Sequence, residues 1–527
     1  MGVAFGFRVW GVDFGLPGAE ARPDELTIAF QAMKFGTGDL NPHSFNYPSL
    51  HKYVTFVLFG LWYVWGKVAG LYTGQEAFLR DFFAGSAEFR LLMRLWSVAM
   101  GTVGVALLLW APGRRWSAAL LAVTFLHVRD SHFGVTDVTM VTLTTAAVGA
   151  SLMAMERPSW RALVIAAGLA GLATSTKYNA GLLCLPLALA AGSPRRVGVA
   201  AVVMVGAFLL GTPYAALDFG TFWRDFSYEL SHLEGGQYVD VGSGWVHHLR
   251  TLAGTCGPPY LLLAAAGLYF APRLGWRRAG VLYGFPVAYF LVIGRGETAF
   301  FRYILPVVPF LAVAAGDLLS RLPRRVAGWV YVVVVIPTAW SSVQAVQLMA
   351  AGDTRDAMLR YVEANVPSQA VIVHAGTYTG APMLQRNVAN LTREYAAKQG
   401  RADASGFRKP DDLTWYVESR PMYDLQFVEK PGIAFVSQVP LDQVLAEPPP
   451  WLELEDYYLT HYSAVPDALR ALAESPAYTL VHTESAVDGP VDAAWFDQQD
   501  ALYLPAGNFG GFVRMGPTLR LYRRNPE

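Results

Sequence analysis

RDSHFGVTD, Arg129 to Asp137, sets an arginine, two aspartates and a histidine between the apolar runs WSAALLAVTFLHV and VTMVTLTTAAVGASLMAM. The runs have the composition of segments that enter lipid, so the motif is expected in a short connection at the membrane boundary. Ionisable groups at that depth are costly, which marks them as functional candidates.

Composition agrees with this placement. Of 527 residues, 53% are hydrophobic and 16% charged, with no net charge, which bounds the class to a polytopic membrane protein with a soluble appendage. No basic excess points to nucleic acid. Cys184 and Cys256 both fall in apolar segments and suggest neither a disulfide framework nor a zinc site. MGVAFGFRVWGVDFGLP resembles the tail of a helix and is shorter than the about 20 residues a crossing needs. It is expected to continue an upstream helix or to pack without spanning.

From Glu88 onward, apolar segments recur at roughly 88–111, 116–128, 136–155, 160–174, 179–192, 197–217, 252–272, 279–294, 303–320 and 326–349, predicting ten crossings. Every second connection is arginine-rich: Arg114 and Arg115, Arg157 and Arg161, Arg195 and Arg196, then the groups from Arg273 to Arg278 and from Arg321 to Arg325. These mark the cytoplasmic side. The motif, STKYN, the loop Asp218 to Arg250, GRGETAFFR and the tail are then extracytoplasmic, so Ser131 and Ser405 are expected outside and Ser193 inside. Leu50 to Leu71, interrupted by Lys52 and Lys67, is taken as interfacial, which leaves the first loop, 17–87, outside as well. The spans 116–128 and 179–192 are short, so their outer ends are expected to stop below the surface, beneath covering loops.

After Ala351 the composition turns soluble, separating a transmembrane domain, 1–350, from an α/β domain, 351–527. DTRDAMLRYVEANVP is predicted as an amphipathic helix. AVIVHAG, GIAFVSQ, YTLVHTE and TLRLYRR are predicted as buried strands. Ser463 and His461 are near neighbours but form no trusted nucleophile motif.

RPDE, GDLNPHSFNYPSL, RDSHFGVTD, STKYN and RYILPVVPFLAVAAG follow one another in the order found in GT-C glycosyltransferases. Over roughly residues 1–350 the chain resembles the bacterial protein O-mannosyltransferase and aminoarabinose-transferase branch. The resemblance implies a GT-C-like polytopic α-helical membrane protein of about ten to twelve transmembrane helices with a C-terminal soluble α/β domain. It implies an inner (plasma) membrane enzyme that moves a sugar from a polyprenyl phosphate to a lipid, glycan or protein acceptor. Residue by residue, it makes Asp24 the catalytic base and Asp137 the second acidic site. Lys177 is implied to meet the lipid phosphate, and Arg302 with Tyr303 forms the late RY pair. Glu25, Asn46, Tyr47, His132 and Tyr178 are the further substrate-binding candidates.

The chain departs from the aminoarabinose branch at Thr27, where that branch has arginine, and at Asn46 and Tyr47, where it has an acid and a lysine. That branch's donor, acceptor and metal site are therefore not carried over.

The residue types suit such chemistry. A phosphodiester leaves readily once its charge is neutralised, which Lys177, Arg302 and the helix start at Tyr178 could do. The attacking hydroxyl needs a carboxylate base. Each candidate has a simpler explanation. Asp24 reads equally as an N-cap or first-turn acid and Asp137 as a first-turn acid. Lys177 reads as a snorkelling side chain, and His132 as a structural hydrogen bonder rather than a metal ligand. Glu229 with His232 is a weaker candidate pair for a divalent metal. The competing functions are a transporter or flippase, against which the chain has no internal repeat and its charges gather at one face, and an inactive binding homologue.

Overall fold

The structure is a computed structural model and describes residues 1–236, 239–398, 420–430, 436–459, 463–491, 494–500 and 502–526. Ser405 and His461 lie outside the described residues.

Among the described residues, five helices are long and apolar enough to cross a membrane: Ala87–Trp110, Thr136–Glu156, Pro194–Gly211, Phe301–Arg321 and Arg324–Ala350. The other five expected segments are helical but are short, interrupted or less apolar. Trp160–Thr174 and Tyr178–Ala191 are short apolar helices, and 279–294 falls within Trp276–Ile293. The segment 116–128 breaks at Thr124 into Arg114–Val123 and Phe125–Asp130. The expected span 252–272 is a pair, Gly244–Cys256 and Pro258–Tyr269, bent by 113°. Gly257, at φ +90°, makes the bend where Pro258 and Pro259 forbid a continuous helix.

Breaks inside a membrane domain leave backbone groups that lipid cannot satisfy. Here one neighbouring helix supplies the partners. Phe125 N–H donates to the Thr338 hydroxyl at 2.8 Å, and that hydroxyl donates to Thr255 C=O at 2.8 Å. Ser342 donates to Val123 C=O at 2.9 Å. Thr338 thus links both broken segments to the helix Arg324–Ala350.

Thr136–Glu156 is the central helix, buried on nearly all sides. Two of its threonines are satisfied locally or by a neighbour: Thr145 donates to Val141 C=O and Thr142 to Met100 C=O. It packs on Ala87–Leu107 and Trp160–Thr174. The latter meets Pro194–Gly211 closely enough that a Cβ at Gly171 would collide with Met204 C=O, the small-residue contact that membrane helices favour. Leu50–Val68 packs against the first-loop helix Pro23–Lys34 and leaves Val57, Leu61, Val64 and Trp65 exposed on one face, which suits an interfacial position.

The expectation that Ser131 of RDSHFGVTD is reachable from outside is corrected. Arg129, Asp130, Ser131, His132 and Asp137 are all buried. Ser131 donates to His127 C=O at 2.6 Å, so it is no probe of an outer surface.

Beyond Ala350 the chain forms the helix Thr354–Asn365, capped by Asp353, and a mixed sheet. Its strands are β1 (Val371–Ala375), β2 (Gln385–Arg386), β3 (Met422–Val428), β4 (Gln438–Val439), β5 (Trp451–Asp456), β6 (Tyr478–Glu484) and β7 (Thr518–Arg524), in the order β2-β3-β1-β5-β7-β6 with β4 on β3. The β1, β6 and β7 segments are strands as expected, but β6 is an edge strand that is largely exposed rather than buried. Much of GIAFVSQ lies outside the described residues. β3 and β5 escape it because both bury carboxylates. Asp424 is held by Arg393 and Asn390, while Glu453 and Glu455 flank His374 at 2.7 and 3.4 Å. Burial alone would lower His374, but the two glutamates bring it to about 9.

Between β6 and β7 the chain leaves the sheet and packs into the core of the helical domain. Phe496, Leu502, Leu504 and Phe509 join that core, Phe509 edge-on to Phe125 and Trp495 at 4.6 Å from Phe301.

Two outcomes are expected. Thr338→Val keeps the shape but leaves Phe125 N–H and Thr255 C=O unpaired, and should cost about 1–3 kcal/mol, read by denaturant unfolding in mixed micelles. Cysteine at exposed Ser231 should react with an impermeant thiol reagent applied outside, and cysteine at exposed Ser193 only after permeabilisation; the reverse pattern would invert the whole topology.

Candidate active site

Arg22 precedes the helix Pro23–Lys34 with extended backbone, φ −147° and ψ 102°, and Pro23 takes the first helical position. Its missing N–H costs nothing there. Asp24 and Glu25 consequently stand in the first turn, where free N–H groups favour carboxylates. Asp24 is not the N-cap.

From this start a ladder of alternating charge runs inward. Arg302 lies 3.2 Å from Asp24 and 3.3 Å from Asp500, a residue of the segment between β6 and β7. Asp500 also pairs with Arg22, which lies 3.7 Å from Asp130, and Asp130 is held at 2.9 Å by Arg129. Beside the ladder, Lys177 meets Asp137 at 2.6 Å and sits 4.9 Å from the Tyr303 ring centroid. Asp24, 27% exposed, is the most accessible member; Arg22 and Asp130 are buried. Buried charges persist only when paired, and each of these has a partner of opposite sign.

The segment carrying Asp500 is fixed on both sides. Asp497 accepts from Phe301 N–H at 2.7 Å. Gln499 accepts from Ala299 N–H at 2.7 Å and donates to Val239 and Glu297 C=O. Tyr503 donates to Glu455 at 2.5 Å. Burial alone would raise the Asp500 carboxyl, but Arg22 and Arg302 bring it down to about 2. Burial, reinforced by the Asp500 charge, pushes Asp497 up to about 7.

The helix Phe219–Glu234 flanks the cluster. Burial, with Asp24 and Asp225 adding to it, pushes Glu229 up to about 7 against Lys177 and Lys52. Glu229 therefore belongs to the electrostatic neighbourhood of Asp24, a place its sequence reading as a metal candidate did not indicate. Tyr47 is half-buried, and burial together with Asp24 raises its hydroxyl well above 10. The Tyr47 loop is pinned by Phe45 N–H on Asp225 at 2.8 Å and by Lys52 on Ser44 C=O at 2.7 Å.

The structure thus gathers Asp24, Tyr47, Asp137, Lys177, Arg302 and Tyr303. It sets four other candidates apart. Glu25 is buried, gripped by Arg94 through two 2.9 Å bonds and by Gly134 N–H at 2.7 Å, so it holds the first loop and leaves no oxygen for a substrate. Asn46 is exposed. Tyr178 spends its hydroxyl on Phe45 C=O at 2.7 Å, and its segment, Tyr178–Leu183, is a six-residue 3-10 turn rather than a helix whose N-terminus could seat an anion. His132 faces Val128 and Trp10 carbonyls with its two ring nitrogens, at 2.9 and 3.1 Å.

A metal does not fit these groups. Among the described residues no three histidine, cysteine, aspartate or glutamate side chains converge to hold one. His132 is committed to the backbone, and His232 stacks on Tyr228 at 5.9 Å.

Arg22, Asp497 and Asp500 were missed by sequence reasoning, and Asp130 was flagged only as one of the ionisable groups of RDSHFGVTD. RPD offered a signal for Arg22, because it adjoins the motif; FDQQDALYLP offered none, since it reads as a polar turn.

Comparison with known proteins follows the same outline. Residues 84–213 match the family described as dolichyl-phosphate-mannose-protein mannosyltransferase. The crystal structure of ArnT from Cupriavidus metallidurans bound to undecaprenyl phosphate superposes with a TM-score of 0.52 at 14% identity, over 98% of this chain and 96% of that one. The apo form of ArnT gives 0.50 at 17% identity, over 91% and 95%. A search of curated proteins finds no match. The chain has the fold seen in ArnT, and over residues 84–213 it is similar to the dolichyl-phosphate-mannose-protein mannosyltransferase family.

Proposed function

We propose that the chain is a polyprenyl-phosphate-dependent glycosyltransferase that works at the outer face of the inner (plasma) membrane, with its C-terminal domain extracytoplasmic. The observation that carries this is the convergence of Asp24, Asp137, Lys177 and Arg302 from four distant segments, in a fold whose relative ArnT is seen with undecaprenyl phosphate.

The donor is a sugar phosphodiester with one negative charge. An acceptor hydroxyl attacks the anomeric carbon while its proton passes to Asp24. The new C–O bond forms as the bond to phosphate breaks, and the electron pair leaves on polyprenyl phosphate. The leaving phosphate gains charge in the transition state, so cations placed beside it lower the barrier. Lys177 and Arg302 fill that role. Asp137 positions Lys177 through their 2.6 Å contact. A single displacement of this kind inverts the anomeric centre. The acceptor is a lipid, glycan or protein hydroxyl.

The test is transfer from radiolabelled polyprenyl phosphate sugars by the purified protein. Asp24→Asn removes the proton acceptor but preserves size, so turnover should fall about 100- to 10,000-fold while donor binding persists. Near-normal turnover would remove Asp24 from the role. Lys177→Met paired with Asp137→Asn avoids an orphaned buried carboxylate and should weaken donor binding roughly 10- to 100-fold. Uptake of labelled lipid without transfer would favour a flippase.

A further inference from the structure

Asp500 binds two arginines through one atom. Its Oδ2 accepts from both Arg22 Nη1 and Arg302 Nη1. Meanwhile Arg22 Nε, Arg22 Nη2 and Arg302 Nε are buried without a hydrogen-bond partner among the described residues. Two guanidinium groups, ten-donor forks in sum of about five each, thus converge on a single carboxylate oxygen and leave donors unspent. Unspent buried donors are expensive. An anion with more oxygens in the same place would satisfy more of them, and a phosphate is the planar fork's natural partner.

The carboxylate arrives from the far end of the chain. Arg22 and Asp500 are 478 residues apart. The segment is tied to the sheet by Tyr503 on Glu455 and to the helical domain by Asp497 and Gln499, so Asp500 is presented to the arginines at high effective concentration. It competes there with any free anion of similar charge.

We propose that Asp500 is a tethered stand-in for the lipid-linked phosphate: it occupies the seat between Arg22 and Arg302 when donor is absent, is displaced when the phosphate enters, and thereby makes Arg22 a second phosphate-binding residue. This rests on the reading of the cluster as a polyprenyl phosphate site. It gives the C-terminal domain a direct part in the donor cycle. The phosphate that leaves carries more negative charge than the donor did, and Asp500 returning to the arginines offsets the affinity that this extra charge would otherwise give the product.

The experiment measures the affinity of undecaprenyl phosphate for the purified full-length chain by native mass spectrometry or a fluorescent competitor. Asp500→Asn keeps an oxygen for the arginines and removes the charge, so binding should tighten by about tenfold or more. Tyr503→Phe loosens the tether without touching the arginines and should tighten binding in the same direction by a smaller factor. It also serves if Asp500→Asn fails to fold. Arg22→Gln in an Asp500→Asn background should reverse the gain. Unchanged or weaker binding in both Asp500→Asn and Tyr503→Phe overturns the proposal. If those two variants show no tightening while wild type binds and the Lys177→Met/Asp137→Asn pair binds less well, the site stands and only the tethered anion falls; if wild type does not bind undecaprenyl phosphate at all, the site reading falls with it.

Discussion

The charge ladder Asp24–Arg302–Asp500–Arg22–Asp130–Arg129 is the constraint on which the other features depend. Removing one partner from such a set leaves a neighbour buried and unpaired, which costs far more than the pair contributes. Every segment that brings a rung must therefore be held in place: the first loop, the RDSHFGVTD turn, the start of the helix Phe301–Arg321, and the tail. Arg94 does this for the first loop by binding Glu25 and the Val12 and Phe14 carbonyls together. The ladder is buried except at Asp24, where it reaches the surface.

Irregular backbone is what lets so many charges meet. A set of straight, unbroken helices would carry Asp130 and Arg302 along apolar faces with no partner in reach. Instead the chain breaks at Thr124, bends at Gly257 and tightens into 3-10 turns at Tyr178–Leu183 and Phe301–Val307. Thr338 and Ser342 absorb the freed backbone groups. The site depends on these breaks, because a helix that ends early presents its polar end inside the protein.

The sheet domain is coupled to the site through its own polar core. Glu455 receives Tyr503 O–H and Thr377 N–H while facing His374, and Gly376 and Gly380 have no room for a Cβ against it. Tyr503 is also covered by Arg355 at 4.8 Å, and Arg355 is locked by Asp353. Tyr503 lies three positions after Asp500. A charge network in the sheet thus fixes the end of the segment that delivers a carboxylate to the membrane domain.

The sequence alone determined the class and much of the outline. Long apolar runs favour lipid or a protein interior, which marked the helical segments, five of them long and apolar enough to cross a membrane among the described residues, and alternating arginines gave them an expected orientation. The order of motifs pointed to the GT-C fold, and RPDE put Asp24 in a first turn because proline and acids favour that position. β1 and β7 were legible from their apolar patterns, and β6 from its β-branched and aromatic residues. Tertiary structure decided who pairs with whom. Periodicity reports which face of an element is apolar and is blind to a contact 198 residues away such as Arg302 with Asp500. It likewise could not tell that Glu25 is consumed by Arg94, or that β3 and β5 bury their carboxylates. In each case the burial of a charge is permitted by a partner that only the folded chain supplies.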